Sequence, residues 1–282
     1  MNNETSNWFN IVWLALLLVI FMPSFTMLFN RSMLRVRRRL RIRSLEKKFN
    51  CRIITLIHRQ ESLGLFGIPL FRYINMEDAE SIIEAIHLTS SKLPIYFIIH
   101  TPGGLALAAE QIARALNAHR GGSKLFVPYY AMSGGTLVGL GSSEIVMMPN
   151  AVLGPIDPQI PVGIFAGTLP ASSILKALEE PNPHREDRFL ALGDVSRKAL
   201  SQMKEAAFEL LRDKVKDPKT VADTLSQGTW THDYPITYEK AKELGLPVSN
   251  EFPIEILRLM RLYKQPAGAS AAEYEREPYG GL

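Results

Sequence analysis

The chain has 282 residues, 46% of them hydrophobic, which is room for one sizeable domain of about 200 residues plus appendages. Nine of its 32 basic residues but two of its 28 acidic ones lie in residues 1–50, so the remaining 23 against 26 leave the body near neutral, with no general reason to bind nucleic acid. A single cysteine, Cys51, excludes an intrachain disulfide and any multi-cysteine metal site, and reads as a small buried strand residue.

After a short segment, residues 1–7, the 22 residues from Trp8 to Phe29 carry no charge, enough for one helix across a hydrocarbon core of about 30 Å. A cleaved signal peptide is disfavoured, because Met1 to Asn7 hold no Lys or Arg and no Ala-x-Ala site follows. Residues 30–50 then read as a basic linker, with Arg31, Arg35, Arg37, Arg38, Arg39, Arg41, Arg43, Lys47 and Lys48. Beside an apolar span, such a run marks the cytoplasmic flank and anionic lipid. The expectation is a single-pass protein of the cell membrane, touching lipid through residues 8–48, with its body in the cytoplasm.

The body, residues 51–263, alternates apolar runs with amphipathic segments. Strands are expected at Arg52–Ile57, Ile95–His100, Leu125–Tyr130 and Glu144–Met148. Helices are expected at Asn75–Thr89 and Leu105–His119, and a small-residue helix at Thr136–Gly141. This βαβα order predicts a layered α/β domain on parallel strands. Residues 163–227 read as predominantly helical, with Asp194–Val215 the longest unit, and Tyr238–Leu246 as a short closing helix. Residues 264–282 lack apolar periodicity and read as a flexible tail.

Two turns fall on the expected carboxyl edge of the sheet, where sites of such domains lie. His100-Thr101-Pro102-Gly103-Gly104 closes one strand, and its glycines let backbone approach a bound chain. Ala131-Met132-Ser133-Gly134-Gly135-Thr136 follows the next and sets a hydroxyl over a helix N-terminus, where a nucleophile and its oxyanion can be stabilised.

At these turns the chain resembles the Clp/crotonase superfamily. Met148-Pro149-Asn150-Ala151-Val152-Leu153-Gly154-Pro155-Ile156-Asp157-Pro158-Gln159 and Trp230-Thr231-His232-Asp233-Tyr234-Pro235-Ile236-Thr237 narrow the match to the serine dehydrogenase proteinases, relatives of signal peptide peptidase A. The resemblance runs from about Cys51 to Val248. It implies a Clp/crotonase-like fold with flanking helices and a serine endopeptidase acting on polypeptide through Ser133. It also implies an oxyanion hole from the amides of Gly134 and of Gly103 or Gly104, and assembly into a homo-oligomeric ring. Gly103-Gly104-Leu105 would offer an edge to an extended substrate.

The resembled Clp histidine falls at Ile156, which cannot accept a proton. In the related membrane proteases a lysine takes the proton, which here points to Lys198 first, at the head of the long helix among Val195, Ala199 and Leu200, and to Lys176 second. Asp233 falls near the position of the Clp aspartate with His232 beside it, and either could orient a base or serve as one; Asp157 is a turn residue or a partner of the site lysine. Two other classes stay open: a crotonase-type acyl-CoA enzyme and a non-catalytic membrane scaffold. No metal is expected, since His58, His87, His119 and His184 lack ligand spacing. No Gly-x-Gly-x-x-Gly follows a strand, so no cofactor is expected either.

Overall fold

A computed structural model of the chain describes residues 13, 17, 22, 32–58, 62–63, 69–70, 72–163 and 167–263. The chain divides into two compact units, residues 1–48 and 49–282. In the first, the described stretch from residue 32 onward is helical rather than the expected linker, and Arg35 donates to Ser32 Oγ at 3.3 Å.

The expected membrane helix requires correction. Among the described residues no helix is long and apolar enough to cross a membrane. Apart from Trp13, Leu17 and Met22, the stretch 8–29 lies outside the described residues, and the helix that follows it is studded with arginines too costly to desolvate. The expected single-pass localisation and lipid contact through residues 8–48 therefore find no spanning helix among the described residues. The segment expected to be a flexible tail, residues 264–282, lies outside the described residues too.

In the second unit the expected alternation is realised. Strands β1 (Arg52–Ile57) and β2 (Ile95–His100) have the expected bounds, and α1 (Met76–His87) connects them. Asn75 opens α1 with a capping box: its Oδ1 accepts from the Asp78 N–H at 2.8 Å, and Asp78 Oδ2 accepts from the Asn75 N–H. Helix α2 (Ala106–Ala118) leads to β3 (Ser123–Val127). The expected strand to Tyr130 breaks at Pro128, which has no N–H for a ladder, and the chain resumes as β4 (Tyr130–Ala131) in a second sheet.

Beyond it lie α3 (Gly134–Leu140), β5 (Glu144–Met147) and β6 (Val152–Leu153). The stretch expected to be helical opens instead with an antiparallel hairpin, β7 (Gln159–Gly163) and β8 (Gly167–Pro170). Helices α4 (Ala171–Glu179), α5 (Asp187–Leu211) and α6 (Pro218–Ser226) follow. The chain then adds α7 (Tyr238–Glu243), β9 (Val248–Ser249) and α8 (Ile254–Met260).

The main sheet runs β1-β2-β3-β5-β9, every neighbouring pair parallel. Its strands read as near-continuous apolar runs because both faces are covered: Phe97, Ile99, Leu125 and Ile145 join Ile112, Leu116, Leu137 and Leu210 in one buried core, and Ile98, Phe126 and Val146 on the opposite face are buried as well. This is an α/β fold with a parallel central sheet and flanking helices, as the Clp/crotonase resemblance implies.

Candidate active site

At the carboxyl edge of the main sheet, four segments line up side by side. Thr101 pairs with Ala131 and Ala131 with Leu153, both parallel, and Leu153 pairs antiparallel with Ile236. The bonds are Thr101 N–H to Tyr130 O at 3.3 Å, Met132 N–H to Thr101 O at 3.0 Å, and a reciprocal 2.9 Å pair between Leu153 and Ile236. This row fixes the relative positions of all the loops that leave it. Thr136 adds a cross-tie from inside, donating to Ala131 O at 2.7 Å and accepting from the Gly154 N–H at 3.0 Å.

Ser133 stands two residues past the row, as the residue before α3. Its backbone has φ 50° and ψ −117°, a region that side chains with a Cβ rarely adopt, so the turn stores strain of roughly 1–3 kcal/mol. That conformation turns the side chain away from the cap position: the hydroxyl makes no capping hydrogen bond to its own helix. The residue is half-buried, whereas Gly134 to Leu140 behind it are all buried.

The two glycine turns meet here. A Cβ on Gly103 would lie 2.8 Å from Ser133 Cβ and 3.2 Å from the Gly134 nitrogen, and a Cβ on Gly134 would lie 3.3 Å from the Gly104 nitrogen. Of the amides the sequence offered, that of Gly103 is engaged: it donates to Thr101 Oγ1 at 3.2 Å. The Gly104 and Gly134 N–H groups make no hydrogen bond among the described residues. Two unengaged donors thus flank the serine, the arrangement an oxyanion hole requires. Gly103 O and the Leu105 N–H bond with Ile74 at 2.8 and 2.9 Å, so the edge expected for an extended substrate at residues 103–105 is already filled on that side.

The Gly103 amide is held by a buried chain that the sequence reading missed. Asp78 can only accept, so the His58 Nε2–H, 3.3 Å from its Oδ2, is the donor. His58 Nδ1 then accepts from the Thr101 hydroxyl at 2.9 Å, and Thr101 Oγ1 accepts from Gly103. Burial pushes the His58 imidazole below its ordinary value against the opposing pull of Asp78, with Arg72 adding to the depression, so the ring is neutral near pH 7. The contact with Asp78 is therefore a hydrogen bond rather than an ion pair.

The candidate bases fall in different places. Lys198 is 68% exposed on α5 and pairs with Asp194 one turn earlier at 2.5 Å, so the apolar burial expected around it is not found. Val195, counted among its apolar neighbours, is itself exposed. Lys176 is exposed on α4. Ile156 is buried, its N–H bonded to Leu225 O at 2.8 Å. Asp233 is exposed in a turn closed by Tyr234 N–H to Thr231 O. The carboxylate against His232 is Asp157, whose Oδ1 lies 2.8 Å from His232 Nδ1. No signal in the sequence paired these two residues.

A family model described as ClpP-like SDH-type serine proteinase matches residues 1–280. Two proteins of Methanocaldococcus jannaschii, both called uncharacterized, are similar: MJ1495 is 49% identical over 243 residues, 85% of this chain and 81% of that protein. MJ0137 is 50% identical over 228 residues, 80% of this chain and 78% of that protein. Among solved structures, two of the membrane-bound stomatin-specific protease 1510-N, one with a substrate peptide, each have a TM-score of 0.47 and cover 66% of this chain. They cover 79% and 74% of those chains at 18% and 20% identity. The full-length family match and the two relatives near 50% identity establish that this chain belongs to the ClpP-like SDH-type serine proteinase family.

Proposed function

We propose that the protein is a serine endopeptidase that cleaves polypeptide through an acyl-enzyme on Ser133, with the Gly104 and Gly134 amides receiving the oxyanion. One observation carries this reading: a strained serine beside two unengaged N–H groups on adjoining turns. Attack of Oγ on a carbonyl carbon moves the developing charge onto an oxygen between donors whose positions are already fixed by the row and by the His58–Thr101 chain. Little reorganisation is then needed as charge develops.

The sequence pointed to a lysine as proton acceptor. Lys198 and Lys176 both stand in solvent, Lys198 paired with Asp194. A homo-oligomer belongs to the proposal as well. Leu169, Phe189, Leu190 and Val195 expose apolar side chains on β8 and the first half of α5, a surface suited to a second copy.

The test is labelling by a fluorophosphonate fluorophore together with hydrolysis of fluorescently labelled casein. Both are expected from the native protein and from neither a folded Ser133→Ala variant nor a boiled control. A folded Ser133→Ala protein that still cleaves casein at the native rate would refute the assignment. Casein cleavage also separates a peptidase from a crotonase-type enzyme or a scaffold of the same fold.

A further inference from the structure

The helix behind the serine is held at its far end by a side chain from another part of the chain. All of α3 is buried, and its seven residues make it about 10 Å long. Its end is pressed against α2, where a Cβ on Gly141 would lie 2.2 Å from Ala113 O. The last carbonyls of a helix need donors from outside its own ladder. The Gly141 and Ser142 N–H groups serve Val138 O and Gly139 O at 3.1 and 2.9 Å, and Leu140 O takes the Lys214 amine at 2.6 Å from 74 residues away. Ser142 Oγ beside it is buried with no partner among the described residues, so this end is thinly held. Lys214 is thus a side-chain cap on α3, and its ammonium suits the negative end of that helix.

Lys124, Lys198, Lys204 and Lys240 each meet a carboxylate, whereas Lys214 among the described residues meets a carbonyl and no carboxylate. It is half-buried in the turn after α5, and burial lowers its amine to about 8. At pH 7.5 roughly a quarter of such amines are neutral nucleophiles, against about one in a thousand at the ordinary 10.5. An open cavity of about 270 Å³ lies between α2 and the end of α5, lined by Arg114, Asn117, Glu209, Leu210 and Arg212. Arg212 is two residues before Lys214, and Arg114 follows the Ala113 that backs Gly141. Arg114 is engaged by Glu209 and Glu110, both at 2.8 Å, while Arg212 has only a loose 3.6 Å approach to the exposed Asp213 and is the cation left to meet an anion. A cavity of this size suits a small ligand.

We propose that Lys214 is an acylation site for a small acyl phosphate, whose phosphate Arg212 receives, and that the acyl group releases the far end of α3 and so turns the enzyme down; the last step rests on the peptidase reading above.

In the transfer, Nζ bonds to the acyl carbon and the bond from that carbon to the phosphate oxygen breaks. Phosphate leaves with the electron pair and takes up the proton that the amine loses. The product is an uncharged amide, so the attraction to the negative end of α3 is lost. Its acyl carbons must also find room where the amine lay 2.6 Å from an oxygen. Ser133 is the residue before α3, and the seven residues between it and Gly141 are buried, so a shift at the far end is carried to the nucleophile. Lys214 is a positioning residue that touches no substrate of the peptidase reaction.

The experiment incubates the full chain with acetyl phosphate at pH 7.5 and maps acetyl groups by peptide mass spectrometry over time. Lys214 is expected to react about tenfold faster than Lys176, an exposed lysine of α4. Arg212→Ala should slow the reaction of Lys214 with acetyl phosphate several-fold and leave its reaction with uncharged N-acetoxysuccinimide as it was. In the acetylated protein, hydrogen exchange in the peptide of residues 134–142 should rise about tenfold, and kcat for casein should fall about tenfold with KM within about twofold. Lys214→Gln, uncharged in the same way, should reproduce both changes, and Lys214→Arg should keep its own kcat through acetyl phosphate treatment. Should Lys214→Gln fail to fold, the acetylated native protein carries the same readouts. Acetylation of Lys214 no faster than of Lys176, an Arg212→Ala rate equal to native, or unchanged exchange or kcat in acetylated protein overturns the proposal. Untreated native protein that cleaves no casein would instead remove the peptidase reading, with the acetylation and exchange results still decisive for Lys214.

Discussion

Replacing Gly103 by alanine tests whether the two turns are locked to one another. The residue sits at φ 115°, where a Cβ is strained, and such a backbone costs roughly 1–3 kcal/mol. The new Cβ would also lie 2.8 Å from Ser133 Cβ, 3.0 Å from Met132 O and 3.2 Å from the Gly134 nitrogen. Ordinary carbon contacts are about 3.5–4.0 Å, so atoms must move by about 0.7 Å or more, and none of the three belongs to a flexible side-chain end. The displacement falls on the nucleophile and one of its flanking amides. A shift near 1 Å in a reacting group costs about 10²-fold, so kcat for casein should drop by about that factor. Stability should fall by about 2–4 kcal/mol, or roughly 4–16 °C in Tm for a domain of this size. Gly167→Ala is the control: it has φ 73° with nothing within 4 Å, and should lose about 1 kcal/mol with activity unchanged. A folded Gly103→Ala protein with native kcat and native Tm refutes the reasoning.

Two further outcomes follow from groups described above or packed behind them. Ser133→Gly should abolish cleavage yet raise Tm by about 2–4 °C, because glycine releases the strain at φ 50° for a smaller entropic cost, whereas Ser133→Ala keeps the Cβ and the strain; equal melting of the two variants would show the turn to be unstrained. Lys214 donates to Leu140 O at 2.6 Å at the far end of α3, and burial lowers its amine to about 8. The unfolded chain binds this proton up to pH 10.5 and the folded one only to about 8, so stability should rise across that window, by on the order of 2–3 kcal/mol. Denaturant titrations from pH 7.5 to 10.5 should show the rise in the native protein and a flatter profile in Lys214→Met. A native profile that falls through the window would reverse the sign of the argument.

Periodicity reached what depends on local pattern. Arg52–Ile57 and Ile95–His100 are apolar on both faces and flanked by polar turns, so their bounds were legible, as was the meeting of the two glycine turns on one sheet edge. The hairpin at Gln159–Gly163 and Gly167–Pro170 was not, because its apolar residues are few and its pairing depends on a cross-strand partner. The Lys198 reading shows a different limit. Apolar neighbours in sequence point elsewhere on a helix, and Asp194 one turn back draws the amine into solvent. Asp157 and His232 are 75 residues apart and meet only because Leu153 and Ile236 pair, a contact that no local pattern encodes.

The row Thr101, Ala131, Leu153, Ile236 also orders events in time. A chain is made from its N-terminus, and contacts between distant residues form late. The first three rungs can assemble once residues 52–153 have emerged, giving the strained serine and its amides. Ile236, the last rung, is what anchors the loop of His232, and it emerges more than eighty residues later. Nascent chains therefore complete the serine turn well before the segment of Ile236 closes the row. On a ribosome, the row that positions the serine turn stays one rung short until residue 236 has emerged.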